Sequence, residues 1–538
     1  MISDVSIRVN RDLCYACGIC VDRCIMDNLR LSVAPCRQAC PLNMNCQGYV
    51  RLIAQGREEE AASELRAYTP FAGILGRICT SPCEGRCERE ASLGDGSVHI
   101  KALKRYLAET FQDKINELPE VAPATGKKVA VVGSGPAGMM AAYELRSYGH
   151  QVDVFESGDS PGGFLRRIIP EFRLPTSELD RAIEMLAAMG VQFHTGRKVG
   201  RDISLETLQN DHDAVVIAVG ACVGASPDIP GCSGQSVVQG IDLLAGVRAG
   251  NTDSLKGRQV VIVGGGNTAI DCAMSCLMLG AEQVRIVCLE NPNEIPTKRS
   301  DLALAKSGGI KVDYGWAVAE ISNDATGKVA LSLSRCLAAL DEKGIFNPII
   351  DNEGPGRILT ADRVVLAVGQ KVDASSFLGD LPAGEGGCLA GDPVTQAVPG
   401  KKGIFVAGDC HSGPSSVVEA FASGKNAAIS THRHLIGLDT TYARDYYENH
   451  GMIQSYESLP ERATGGARCP LPVAKPESWS LKNELGVSLS SMEARREAER
   501  CLSCGRSFEL NRTCWYCLPC EIDCPVQALE VRMPYQVR

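Results

Sequence analysis

The sequence predicts an α/β protein, with two Rossmann-like domains in mid-chain flanked by cysteine-rich segments at both ends. Two observations predict it. A unit of apolar strand, glycine-rich turn, helix and strand occurs at 128–156 and again at 259–290, which is the mark of parallel α/β domains. The 25 cysteines are crowded: ten fall between Cys14 and Cys87, six between Cys501 and Cys524, and nine lie scattered between.

The 538 residues allow about three or four domains. With 44% hydrophobic and 22% charged residues, a largely disordered chain is excluded. The net charge of −9 argues against nucleic acid, whose phosphates need clustered Lys and Arg. No membrane partner is expected, because no run of about 18 apolar residues occurs. Asp4 and Arg8 interrupt any leader-like stretch. Dense thiols beside an ordinary core point to the reducing cytoplasm and to metal or redox chemistry rather than disulfides.

Val5–Val9 reads as a short strand. Gly48–Gln55, Glu58–Ala67 and His99–Phe111 carry helical spacing, and Pro119–Gly126 is a linker. Lys128–Val132, Gly138–Ser147 and Gln151–Glu156 form the first α/β unit. Gln259–Val263, Thr268–Leu279 and Gln283–Glu290 form the second. Ala214–Gly220 and Arg363–Gly369 are two further apolar strands that end in Gly. Residues 441–485 form a connector, and Ser490–Glu499 is a helix opened by a Ser490/Glu493 capping box. The expected domains are 1–33, a ferredoxin-like segment; 34–117, helical and cysteine-rich; 126–245 with 367–440, the first dinucleotide domain; 246–366, the second, inserted in the first; and 441–538, the connector and last cysteine segment.

In the turn Gly133-Ser134-Gly135-Pro136-Ala137-Gly138, the first Gly permits the turn and the second lets a pyrophosphate approach the backbone. The third allows helix and strand to pack closely. Glu156 ends the next strand, placed for a ribose hydroxyl. Gly163 and Gly220 are assigned to the same site. The second copy is Gly264-Gly265-Gly266-Asn267-Thr268-Ala269, extending to Asp271, with Glu290 as its strand-end acid. Two sites suggest two dinucleotides, one flavin and one nicotinamide.

Cys14-x2-Cys17-x2-Cys20-x3-Cys24 and Cys514-x2-Cys517-x2-Cys520-x3-Cys524 have ferredoxin spacing. In such runs three close cysteines hold one 4Fe–4S cluster and the fourth serves a second. Zinc favours separated pairs instead. The runs can be halves of one split ferredoxin. Cys14, Cys17 and Cys20 then join Cys524, Cys514, Cys517 and Cys520 join Cys24, and Leu29–Val33 pairs with Ala528–Val531. Ile25 stands where Pro is usual after the fourth cysteine. Alternatively each run closes locally with Cys36, Cys501 or Cys504. Sixteen terminal cysteines allow at most four clusters, and three or four are expected. The nine middle cysteines read as core or surface thiols, Cys272 and Cys276 among them.

Gly403–Asp409 followed by Ser415-Ser416-Val417 resembles the second FAD contact of two-dinucleotide flavoproteins. That resemblance implies that Gly408 and Asp409 meet the ribityl chain and that the helix start at Ser416 and Val417 meets the flavin ring. Together with Ala34–Pro41, Gly76–Cys87, Val132–Gly138, Pro170–Pro175, Gly264–Asp271 and Ala407–Val418, it makes residues 34–440 similar to the small subunit of glutamate synthase and its relatives, including the N-terminal half of dihydropyrimidine dehydrogenase. The resemblance implies FAD, a pyridine nucleotide and iron–sulfur clusters. It places Cys36, Cys40, Cys79, Cys83 and Cys87 in the family's cluster domain, and Cys501 and Cys504 add ligands. Relatives carry a Cys-x-x-Cys pair just before the position of Cys36, whereas Asn28–Val33 has none. Cys14–Cys24 or Cys46 could supply the missing ligands, and Cys46 reads equally as a buried thiol. Relatives using NADPH carry Tyr-Arg-Arg where this chain has Cys288-Leu289-Glu290. A carboxylate repels a 2′-phosphate and favours NAD(H). Lys298 and Arg299, nearby in sequence, weigh against that.

The expectation is an FAD- and 4Fe–4S-dependent oxidoreductase. It passes electrons between NADH, in preference to NADPH, and a partner protein or catalytic subunit of a larger complex, a ferredoxin being one option. The cofactors carry the chemistry, so no catalytic side chain is required. The alternative is an electron-relay or electron-bifurcating subunit without a productive nicotinamide site. The direction of electron flow stays open.

Overall fold

A computed structural model describes residues 6–250, 253–323, 328–351, 353–375, 377, 379–442, 444, 466–509 and 514–532. Val5 and most of 441–465, expected as strand and connector, lie outside the described residues.

Two parallel five-stranded sheets form the middle of the chain. The first has the order Ile404–Val406, Ala214–Ile217, Lys128–Val132, Gln151–Phe155, Gln192–His194. Its central strands are buried on both faces, which is why they read as unbroken Val, Ile and Ala rather than alternating. Helices Pro136–Ser147 and Val417–Leu435 pack together on it. The second sheet has the order Lys311–Tyr314, Gln283–Cys288, Gln259–Val263, Arg363–Leu366, Val237–Gln239. It is inserted in the chain between strands of the first.

The expected boundary at 245/246 differs from the structure. Val237–Gln239 hydrogen-bonds to Arg363–Leu366, and Gly240–Ala249 packs on Asn267–Met278, so residues 237–245 lie with the second sheet. The chain crosses between the sheets through a short antiparallel pair, Val223–Gly224 with Gln370–Lys371. Strands Trp316–Asn323, Val329–Leu340, Phe346–Asp351 and Arg357–Ala361 add an antiparallel sheet to which the sequence reading assigns nothing.

The two ends of the chain interleave. Ile7–Val9 pairs with Leu529–Val531, and Leu29–Ser32 pairs with Arg506–Glu509, both antiparallel. The expected pairing of Leu29–Val33 with Ala528–Val531 does not form. Each strand that follows a cysteine run pairs instead with the strand that precedes the other run. This exchange buries Leu29 and Leu529 in one small core with Ile7, Cys20 and Cys520. The halves also repeat their backbone: Ala16 and Asp27 in one, Tyr516 and Gln527 in the other, all have left-handed φ between 49° and 58°. Non-glycine residues adopt that conformation only under constraint.

Helices Cys46–Ala54, Glu58–Tyr68, Ala72–Ile78 and Ile100–Thr110 build the N-terminal domain. The C-terminal helix Ser491–Ala498, with the Ser490/Glu493 capping box in place, docks on it. Glu497 is fully buried there and accepts from Arg500 Nη1 at 2.8 Å, His99 N at 2.9 Å and Cys469 N at 2.8 Å. No helix among the described residues is long and apolar enough to cross a membrane.

Removing the Glu497 carboxylate strands two buried amides and takes one buried partner from Arg500, which keeps Asp95 and four carbonyls. Glu497→Ala is therefore expected to cost about 3–5 kcal/mol, read as a lower urea midpoint of the helical domain. Glu497→Gln, which keeps an acceptor oxygen, costs less. An unchanged midpoint in Glu497→Ala contradicts this.

Candidate functional site

The turn after Lys128–Val132 divides three tasks among its glycines. Gly133 has a φ of 99°, and a Cβ there would overlap the Ala218 carbonyl. A Cβ on Gly138 would overlap the Gly133 carbonyl, whereas one on Gly135 meets nothing within 4 Å. The open face belongs to Gly135, where helix Pro136–Ser147 begins, and unpaired N–H groups at a helix start favour an anion. Ser134 donates to Glu156 through its amide at 3.1 Å and its hydroxyl at 2.5 Å. Ser157 and Gly158 donate to the other carboxylate oxygen, so Glu156 is fixed at the strand end. Asp409 accepts from Ser415 Oγ at 2.8 Å, and burial pushes its carboxyl above the usual range. Ser416 caps helix Val417–Leu435 in a full capping box with Glu419.

The second turn repeats the arrangement. A Cβ on Gly264 would overlap the Ala367 carbonyl, Gly266 faces open space, and Ala269 is buried. Gly265 sits against Glu290, with its Cβ position 2.7 Å from Oε2. The Asp271 carboxylate is held by Arg173 at 2.8 Å, and Arg173 also reaches Asp301 at 3.0 Å. Arg173 comes from the first domain, so this ion pair ties the two domains together.

The first turn and the start of the helix after the second turn open on one cleft of about 620 Å³. Gly133–Ala137, Glu156, Gly163, Gly220, Gly408, Asp409, Ser416 and Val417 line it from the first domain, and Asn267, Thr268 and Asp271 from the second. Ile78, Cys79 and Thr80 of the helical domain close one side. Gly264, Gly265, Gly266, Ala269 and Glu290 stand outside this lining. Lys101 and Lys298, which the sequence reading did not assign to the cleft, also line it. Burial lowers the Lys298 ammonium, and neighbouring Lys101 adds to this.

The sixteen terminal cysteines fall into four sets. Cys14, Cys17 and Cys20 share a gap with Cys524. Cys24 lies beside Cys514 and Cys520, next to Cys517. Cys36 and Cys87 share a gap with Cys501 and Cys504. Cys40, Cys46, Cys79 and Cys83 gather around Lys104. The sequence reading allowed Cys14–Cys24 or Cys46 to stand in for the pair missing before Cys36; the structure sets Cys501 and Cys504, from the far end of the chain, beside Cys36, with Cys46 bordering the same gap and the Cys14–Cys24 run away from it. Among the described residues, no three His, Cys, Asp or Glu side chains converge as a single bound ion requires; two of the sets stand around gaps, as a multi-iron group needs, and in the fourth the Cys46 thiol bonds to Cys40 and Cys83.

Backbone amides point at sulfur in these loops: Asn28 N to Cys24 at 3.3 Å, Ala528 N to Cys524 at 3.2 Å, Tyr516 N to Cys514 at 3.4 Å and Ser81 N to Cys79 at 3.3 Å. Such bonds stabilise cluster thiolates. Burial pushes Cys20 and Cys520 up to about 11 and Cys501 up to about 12. Cys40 is held down to about 6, mainly by the Cys46 thiol donating to it. Cys272 and Cys276 are buried in the second domain's core, and burial pushes Cys276 up to about 12, so both are inert packing thiols.

A family model described as pyridine nucleotide-disulphide oxidoreductase matches residues 127–424, and one described as dihydropyrimidine dehydrogenase domain II, 4Fe-4S cluster, matches residues 13–115. The beta subunit of the NADP(+)-dependent formate dehydrogenase of Moorella thermoacetica is 32% identical over 511 residues, covering 88% of this chain and 71% of the relative. The NADPH glutamate synthase small chain of Azospirillum brasilense is 32% identical over 416 residues, covering 74% and 86%. The chain belongs to the glutamate synthase small subunit-like family. Mycobacterium tuberculosis FprA in complex with NADPH shares the fold, with a TM-score of 0.51 at 19% identity over 61% of this chain and 87% of FprA.

As a member of this family, the chain is an NAD(P)H-dependent oxidoreductase that uses FAD and 4Fe–4S clusters. Two further residues shape its cleft. Gly424 lets helix Val417–Leu435 touch the first turn, since a Cβ there would overlap the Ala137 carbonyl. A lone Gly inside an Ala-rich helix was the available signal. Arg173 sits in the Pro170–Pro175 motif, but nothing in the sequence named its partners.

Because Gly135 faces open space, Gly135→Asp is expected to fold and to place a carboxylate where the pyrophosphate belongs. The purified variant should carry at least about tenfold less flavin by visible absorbance. Full flavin content would remove the assignment.

Proposed function

We propose that the chain is the NADH-linked electron-distributing subunit of a larger cytoplasmic complex. The observation that carries this is the single cleft that joins the first glycine turn, the start of helix Asn267–Met278 and Cys79. Gly133–Gly138, Glu156, Gly163, Gly220, Gly408, Asp409, Ser416 and Val417 would hold FAD. Gly264–Ala269 and Glu290 would hold the nicotinamide dinucleotide, with Asp271 anchoring the domain through Arg173. Bound FAD supplies the exchange between a hydride and single electrons. The chain's own residues bind and orient; no side-chain acid, base or nucleophile is needed.

The four thiol sets would each hold one 4Fe–4S cluster, in a series leading away from the cleft. Cys79 opens the series at the cleft wall. The Cys46 thiol bonds to Cys36 as well as to its own set, which brings the second set next. Asn45, beside Cys46, donates to the Tyr15 carbonyl at 3.0 Å, which brings the Cys14 loop next. The last set contains Cys517, the one exposed thiol among the sixteen, so the partner subunit would receive or supply electrons there.

Glu290 against Gly265 supports NADH. Lys298 does not oppose it, because it turns into the central cleft beside Lys101. Glu290→Arg is expected to shift the kcat/KM ratio toward NADPH by at least about tenfold. A wild-type enzyme that prefers NADPH contradicts the coenzyme assignment.

The shared cleft also favours a productive nicotinamide site over the relay reading. Anaerobic NADH is expected to bleach the flavin of the purified protein and to support reduction of a one-electron dye without any partner. Flavin that NADH leaves oxidised would favour the relay reading instead.

A further inference from the structure

Lys104 is a lysine with no surface role. It lies on helix Ile100–Thr110 and is 2% exposed, among the largest fully buried side chains of the protein. Among the described residues, no carboxylate forms an ion pair with it. Its helix packs against the helix that Cys46 opens, the helix that Cys79 ends and the turn that carries Cys83, and these thiols with Cys40, one complete set, are the groups whose charge bears on the ammonium. An ammonium is costly to bury without a counter-charge. Buried among four metal-binding thiols, it has a counter-charge only when they are thiolates.

We propose that Lys104 sets the reduction potential of the cluster held by Cys40, Cys46, Cys79 and Cys83, making it the ready first acceptor beside the flavin cleft. This rests on the reading of that set as a cluster site. Four thiolates on a 4Fe–4S core leave the oxidised unit dianionic, and reduction adds one electron and one more negative charge. A fixed cation in a water-poor surrounding favours the more negative form, so the potential rises. The electron comes from the flavin and leaves to the next cluster, and no proton or bond change at Lys104 is involved.

The placement suits that task. Cys79 lines the cleft itself, with Ile78 and Thr80. Among the described residues, the other fully buried cation at a thiol gap is Arg89, beside Cys36 and Cys87, and it is already paired with Asp95 at 2.5 Å. Arg506, near Cys14, and Arg51, near Cys501, are only partly buried, and Arg51 donates to the Asp12 carbonyl. Lys104 is a positioning residue of electrostatic kind: its charge bears on the thiol set, and it does not line the dinucleotide cleft.

The test is an EPR-monitored redox titration of the full-length holoprotein, beside iron, sulfide and flavin content. Lys104→Met and Lys104→Gln are expected to keep all three contents. One cluster should become harder to reduce, its reduced-to-oxidised ratio at a fixed potential falling at least tenfold, which is a shift of 59 mV for one electron. Lys104→Arg should restore the wild-type value. Unshifted potentials in an iron-replete neutral variant overturn the proposal. Loss of that cluster's iron in both neutral variants assigns Lys104 to assembly and also overturns it. Cys83→Ala separates the two layers: if it removes no iron, the cluster reading itself fails, whatever Lys104 does.

Discussion

Three of the four thiol sets are incomplete within their own end of the chain. Cys14, Cys17 and Cys20 lack a fourth thiol until Cys524 arrives. Cys514, Cys517 and Cys520 lack one until Cys24 arrives, and Cys36 and Cys87 lack two until Cys501 and Cys504 arrive. The meeting of the two termini is therefore the constraint on which three of the four thiol sets depend. Closing a loop of this length costs about 3 kcal/mol more than closing one of about ten residues, because the entropy grows with the logarithm of length. Two antiparallel strand pairs and the Glu497 network hold the closure in the protein itself.

The middle of the chain answers to a different demand. Two sheets must present their helix starts to one space while staying rigid enough to keep a nicotinamide against a flavin. Arg173, bridging Asp271 and Asp301, and the close contact of Gly424 with Ala137 serve that end. The cleft then meets the thiols of the helical domain at Cys79, where the proposed function has the electrons leave. On the same proposal the buried charge of Lys104, which bears on that thiol's set, acts on the first one-electron step.

The dinucleotide turns were legible because each glycine answers a local steric demand. Gly133, Gly135 and Gly138 differ in what a Cβ would meet, and spacing alone encodes that difference. The ferredoxin spacing was legible too, and it allowed the exchange of Cys24 and Cys524 beside local closure; packing sets each of the two beside the other run. Strand partners were not. Leu29–Ser32 and Leu529–Val531 are equally apolar, and only the shared core decides that each pairs with the strand preceding the other run. Cys501 and Cys504 carried no mark of their distant partners. The side-chain contacts of Arg173 and the burial of Lys104 depend on tertiary packing, which no spacing records. The second domain's early start at Val237 was hidden because a three-residue strand has too little periodicity to read.

The exchange of ligands between the two ends is tested most directly by iron content in a double-variant cycle on Cys24 and Cys514. If both thiols serve one cluster, Cys24→Ala and Cys514→Ala each remove about a quarter of the protein's iron, and the double variant removes the same quarter and no more. Iron loss in the double variant equal to the sum of the two single losses would place the thiols in separate clusters and contradict the account.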